Sequence, residues 1–170
     1  MTFAKAKPGV PNARDYIGNS DGPAKGPRAG MDEFIRQLVR VSNGAIWNNG
    51  SYGQRDMKGK PGTLSVHATG RAVDASFMST EKHPTANRKG ARAVINKILE
   101  HANEFGIQAV YDYFPIPFGA GWRCDRQAWE KYETKTISGA PRGTWYHIEL
   151  SLQMADNPAA VKAVFTRVFG

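Results

Sequence analysis

Two stretches of this chain carry residues able to do chemistry. "LSVHATGRAVDASF", from Leu64 to Phe77, sets His67 seven residues ahead of Asp74, and "TWYHIELSL" sets His147 two residues ahead of Glu149. Two histidines and an aspartate make three donors of borderline and hard type, the set that suits a catalytic zinc (Zn2+) with its fourth position left to water. A structural zinc would close with four ligands, usually including cysteine. Cys124 is the single cysteine here, so neither an internal disulfide nor a cysteine-built site can form. Zinc lowers the pKa of its bound water to about 7 and polarises a carbonyl, so the implied chemistry is hydrolysis.

These residues need elements to position them. From Arg71 to Phe77, Val73, Ala75 and Phe77 alternate with Ala72, Asp74 and Ser76, the pattern of a half-buried strand that turns Asp74 away from Phe77. In "TWYHIELSL", Ile148, Leu150 and Leu152 alternate with His147, Glu149 and Ser151, which predicts a strand with its aliphatics in the core and His147 beside Glu149 on a polar face. Gly70 lets the chain turn between His67 and Asp74. "IQAVYDYF" reads as another strand, and a short one is expected near Ile46 and Trp47.

Helices supply the scaffold. Met31, Phe34, Ile35, Leu38 and Val39 recur on one helical face and predict a helix near 31–41, stopped by "SNG" at 42–44. Ala91, Val94, Ile95, Ile98, Leu99, Ala102 and Phe105 predict a second over 87–105, with Gly106 as its stop. "DNPAAV" opens a third over 157–169, which buries Val161, Val164, Phe165 and Val168. "NNGSYGQRDMKGKPG" is polar and reads as a loop, and "PIPFGAGWRCDRQAWEKYETKTISGAPRG" as a long excursion. Residues 1–29 are broken by proline and glycine, so a turn-rich arm is expected ahead of a domain over 30–170. The expected fold class is α+β: a small, mainly antiparallel sheet bearing the metal site on one face, with helices packed on the other.

At 170 residues the chain suits one domain with a real core, and 41% hydrophobic residues with a mean hydropathy of −0.50 describe a globular protein rather than a fibrous or disordered one. No apolar run approaches a membrane span, so no membrane insertion is expected. The start shows no apolar signal region, so synthesis in a cytoplasm without a signal peptide is expected. Twenty-three Lys plus Arg against 15 Asp plus Glu give a net charge of +8, which favours a polyanionic partner such as a nucleic acid, an anionic membrane face or a cell wall. No nucleic-acid-binding motif accompanies the charge. His83, in "EKHPTAN", reads as a surface residue and His101 as one lying beside a helix stripe. Trp122, Trp129 and Trp145 either wall a cleft or fill the core.

"SVHATGRAVD" resembles the S-x-H-x-x-G-x-A-x-D signature of the zinc peptidases that cleave peptidoglycan stem peptides, a family of D-alanyl-D-alanine carboxypeptidases and many bacteriophage endolysins, with hedgehog signalling domains as distant structural relatives. Ser65, His67, Gly70, Ala72 and Asp74 all match, "KPGTL" is similar to the lead-in found there, and "WYHIEL" resembles the later strand that brings the second histidine. The likeness runs from about Ile46 to Leu152. It implies His67, Asp74 and His147 as zinc ligands, with Ser65 and Arg55 holding a substrate carboxylate or developing oxyanion. The residues themselves leave other readings open, Arg55 as a solvated loop charge and Ser65 as a turn-forming hydroxyl.

The pattern is broken at one place. Many such peptidases carry an acidic general base three residues before the last histidine, and here that residue is Thr144, which cannot accept a proton at neutral pH. Glu149, as base or as support for the ligand shell, and Asp112 in "AVYDYF" are the replacements nearby. Relatives with an H-x-H pair bind through the second histidine, where this chain has Glu149; the "WYHIE" context favours His147. The resemblance implies a monomeric zinc peptidase that acts on bacterial peptidoglycan after release from the host cytoplasm or from a virion. A non-catalytic wall-binding or phage structural domain that has lost its base is the alternative.

Overall fold

The structure is a computed structural model that describes residues 3–134 and 142–170. Among them are helices α1 (Ala29–Val41), α2 (Arg88–Glu100), α3 (Leu152–Ala155) and α4 (Pro158–Phe169). The strands are β1 (Trp47–Gly50), β2 (Asp56–Met57), β3 (Lys60–Leu64), β4 (Ala72–Ser76), β5 (Ile107–Asp112), β6 (Ala120–Arg123), β7 (Ala128–Lys131) and β8 (Trp145–Leu150). Six strands form one sheet in the order β1-β4-β8-β5-β6-β7, every neighbouring pair antiparallel, and β2 and β3 form a separate hairpin. The fold is α+β, as the sequence pattern implies.

Alternation along the central strands separates two faces. Val73 and Ala75 of β4, Val110 of β5 and Ile148 and Leu150 of β8 join one hydrophobic core with Phe34 and Leu38 of α1, Ile95 and Ile98 of α2, and Val161 and Phe165 of α4. Phe34, Phe105 and Phe165 pack edge to face at its centre, with Phe165 5.4 Å from Phe34 and 4.9 Å from Phe105. Each of these fully buried rings contributes about 1.5–3 kcal/mol. That outweighs the missing side-chain N-cap of α1, worth about 1 kcal/mol, where Arg28 caps nothing. Helix α1 also passes very close to α3: a Cβ on Gly30 would sit 2.1 Å from the Met154 carbonyl oxygen, so only glycine permits this crossing.

Four local readings change. Strand β8 ends at Leu150, and Leu152, expected on its core face, opens α3 and is exposed, because Ser151 caps that helix by accepting the Met154 N–H. Helix α2 ends at Glu100 rather than 105, because residues 101–106 fold into turns closed by Gly106 N–H to Asn103 O and Ile107 N–H to Ala102 O. Ala102 and Phe105 stay buried without being helical. The polar segment expected as a loop contains the β2–β3 hairpin, and the expected excursion contains β6 and β7, which extend the sheet. Residues 135–141 of that excursion lie outside the described residues.

Candidate metal centre

Sheet register builds the polar face. Tyr111 of β5, His147 of β8 and Asp74 of β4 are direct cross-strand partners in one row, and Ala109 and Ala72 flank Glu149 in the next. Small alanines beside Glu149 leave room for its carboxylate to turn toward His147. The third residue, His67, comes from a 3₁₀ turn, Val66–Thr69, that precedes β4. Ser65 caps this turn by accepting the His67 N–H at 3.3 Å, and Gly70 closes it at φ +74°, the left-handed conformation that lets the chain swing directly into β4.

Three donor atoms converge. Asp74 Oδ1 lies 2.9 Å from His147 Nδ1 and 3.3 Å from His67 Nε2, and the two imidazole centroids are 4.8 Å apart. A tetrahedral ion such as zinc, with bonds of about 2.0–2.1 Å, holds its ligand atoms about 3.3 Å apart; the two distances to Asp74 are at or below that value, and the three donor atoms all lie within 4.8 Å of one another. Both histidines are buried and Asp74 half-buried, and this His67–Asp74–His147 group can hold a metal ion.

The far side of each ring supports that reading. His67 Nδ1 lies 2.7 Å from the Ser51 carbonyl oxygen, which only accepts, so Nδ1 carries a hydrogen and Nε2 is the nitrogen that faces Asp74. His147 Nε2 lies 3.1 Å from Glu149 Oε1, leaving Nδ1 to face Asp74. Each imidazole therefore has one nitrogen fixed by an oxygen acceptor and the other aimed at a shared point, the arrangement that orients metal-ligating histidines.

Electrostatics follows from this crowding. Burial disfavours the His147 imidazolium, but hydrogen bonds to Asp74 and Glu149 more than offset it and push its pKa up to about 9. Burial also works against the Asp74 carboxylate, yet hydrogen bonds from His147 and His67 hold its pKa below the usual range. Glu149 is held low in the same way, with burial outweighed by its bond from His147. Burial and then the Glu149 charge lift the Tyr16 phenol well above its ordinary value, so it stays a donor.

A cleft of about 350 Å³ opens over the group. Arg55 and Ser65 line it, as do Asp56 and Lys58 of the β2–β3 hairpin and the rings of Tyr113 and Trp145. Asp112 does not reach it: its strand partner is Tyr146, one residue out of step with the metal row, and its carboxylate binds Arg88 and the Phe114 N–H on the other side of the sheet. Trp122 is core and Trp129 is exposed on β7. His83 stacks on Trp47 and His101 pairs with Glu104, both away from the cleft.

Sequence reasoning missed Tyr16 and Ser51. Tyr16 is 0% exposed and donates its hydroxyl to Glu149 Oε2 at 2.9 Å across a separation of 133 residues. Nothing in the local pattern around either residue signals these contacts. No helix among the described residues is long and apolar enough to cross a membrane. No family model matches this chain, and neither does any curated protein or solved structure, so its function has to be read from the geometry of the metal centre and the cleft above it.

Proposed function

We propose that this chain is a zinc-dependent peptidase of the bacterial cell wall, cutting a peptide bond in the peptidoglycan stem peptide or cross-link as a bacteriophage endolysin does. The observation that carries the reading is the convergence of His67 Nε2, Asp74 Oδ1 and His147 Nδ1 at the floor of an open cleft, each histidine braced from behind. Two nitrogens and one carboxylate oxygen, with access from solvent, suit a catalytic rather than a structural zinc. Bound there, zinc would supply Lewis acidity that activates water and polarises a carbonyl. The S-x-H-x-x-G-x-A-x-D likeness and the +8 charge, suited to an anionic wall, support the same substrate.

The chain's own residues divide the remaining work. Arg55 and Lys58 bring two positive charges to the cleft wall, where a substrate carboxylate would bind. Both Glu149 oxygens are engaged, one by His147 and one by Tyr16, so Glu149 holds a ligand rather than moving a proton. Among the described residues lining the cleft, Asp56 is the carboxylate that neither joins the donor group nor bonds to it. Its Oδ2 accepts the Gly62 N–H at 2.8 Å, and its Oδ1 takes the general-base role left open by Thr144. Purified peptidoglycan is the test substrate: turnover abolished by a chelator, restored by zinc and lost in Asp56→Asn with zinc content unchanged supports the scheme. Thr144 favours a second reading, a zinc-bearing wall-binding domain. Stoichiometric metal with wall binding and no cleavage would establish that reading instead.

A further inference from the structure

The N-terminal arm is built into the metal centre. Tyr16 is anchored by paired backbone hydrogen bonds with Ala4, both 2.8 Å, and the next residue donates its N–H to Gln108 Oε1 at 2.9 Å. Its hydroxyl then reaches Glu149, which is 2% exposed and holds His147 through its other oxygen. The residues after Tyr16 grip the segment that bears His67 and Asp74. Asn19 donates to the Leu64 carbonyl at 2.6 Å, Asp21 pairs with Arg71, and the Ala24 N–H bonds the Ala68 carbonyl at 2.8 Å.

The two histidines are braced differently. His67 leans on the Ser51 backbone carbonyl, which no side-chain change removes. His147 leans on a carboxylate that could rotate, and Tyr16 holds that carboxylate by its other oxygen. We propose that Tyr16 is a positioning residue of the metal centre, setting zinc affinity by locking Glu149 against the His147 ring. This rests on the reading that His67, Asp74 and His147 hold zinc, and it needs no assumption about the substrate. Loss of a hydrogen-bonded group behind a metal-ligating histidine weakens metal binding by roughly 10–100-fold.

The test uses the full chain stripped with chelator and titrated with zinc against a chromophoric competitor. Tyr16→Phe keeps the ring and removes only the hydroxyl; its zinc affinity is expected to fall roughly tenfold. Glu149→Gln is expected to weaken binding at least as much. The double variant should bind no more weakly than Glu149→Gln alone, because Tyr16 acts through Glu149. Asp15→Asn, which breaks the Lys5–Asp15 pair in the same arm, should leave affinity unchanged. The cobalt-loaded absorption spectrum should shift in Tyr16→Phe and not in Asp15→Asn.

Wild-type affinity in Tyr16→Phe, even with a lowered melting temperature, assigns Tyr16 to the core and overturns the proposal. So do losses in Tyr16→Phe and Glu149→Gln that simply add. A wild-type chain that binds no zinc removes the metal reading itself, a different outcome from a binding wild type with an indifferent Tyr16→Phe.

Discussion

Replacing Arg71 with methionine tests how firmly the arm is locked to the turn between His67 and Asp74. Arg71 is fully buried. Its Nε and Nη2 each donate to an Asp21 oxygen at 2.8 Å, Nη1 donates to the Leu150 carbonyl at 2.6 Å, and Nη2 also reaches the Gly18 carbonyl. Methionine fills much of the same volume and supplies no donor, so the Asp21 carboxylate and two carbonyls lose their partner together. Removing one member of a buried ion pair costs about 3–5 kcal/mol. The Asp21 side chain is 14% exposed and regains some water, which places the loss near the lower end, about 3 kcal/mol. For a domain of this size each kcal/mol shifts the melting temperature by about 2–4 °C, so a fall of roughly 6–12 °C is expected. Chelator-treated protein followed by circular dichroism separates this effect from metal binding. Adding Asp21→Asn to Arg71→Met should recover part of the loss, since the uncompensated charge is then gone. A single variant within about 1 kcal/mol of wild type, or a double variant with the two losses fully additive, would refute the reasoning.

Four further outcomes are expected. Gly70→Ala places a side chain at φ +74° and a Cβ 3.0 Å from the Arg28 side chain, itself tied to Thr69 and Asp156; a loss of about 1–2 kcal/mol from the backbone alone is expected by thermal unfolding, together with weaker zinc binding. Gly62→Ala, at φ +78° with nothing nearby, should show the backbone loss without the effect on zinc. Zinc bound at His147 Nδ1 would displace a proton, because burial is outweighed by the Asp74 and Glu149 hydrogen bonds that push the metal-free imidazole up to about 9. Below that pH, zinc binding should release a proton and apparent affinity should rise roughly tenfold per pH unit, read by calorimetry in buffers of different ionisation enthalpy. The sign for the metal-free fold is opposite. The folded pKa is raised above the ordinary 6.5, so the stabilisation is complete below that value and is lost as pH rises through about 9.

Much of this was legible in the chain because the core elements bury one face each. Stripes such as Val94, Ile95 and Ile98, and alternation such as His147, Ile148, Glu149 and Leu150, mark which residues face the core. Alternation turns Asp74 away from one set of core residues and His147 with Glu149 away from another, and the pairing of β4 with β8 brings the two polar sets onto one surface. The β2–β3 hairpin and β7 were invisible for the converse reason: β7 is exposed at every position and β3 at most of its own, so neither has a two-residue hydrophobic period. Asp112 was misplaced because alternation fixes faces only relative to a partner strand, and its register with Tyr146 puts it behind the sheet. Tyr16 and Ser51 reach their partners through long-range packing, for which local pattern has no signal.

Metal content is the most direct measurement. Wild-type protein, His67→Ala and His147→Ala are purified alike, stripped, reloaded with zinc, desalted and assayed for zinc per chain. One zinc in the wild type and none in either variant, with all three folded, is the expected result. Zinc retained in both variants, or absent from the wild type, would contradict a metal centre built from His67, Asp74 and His147.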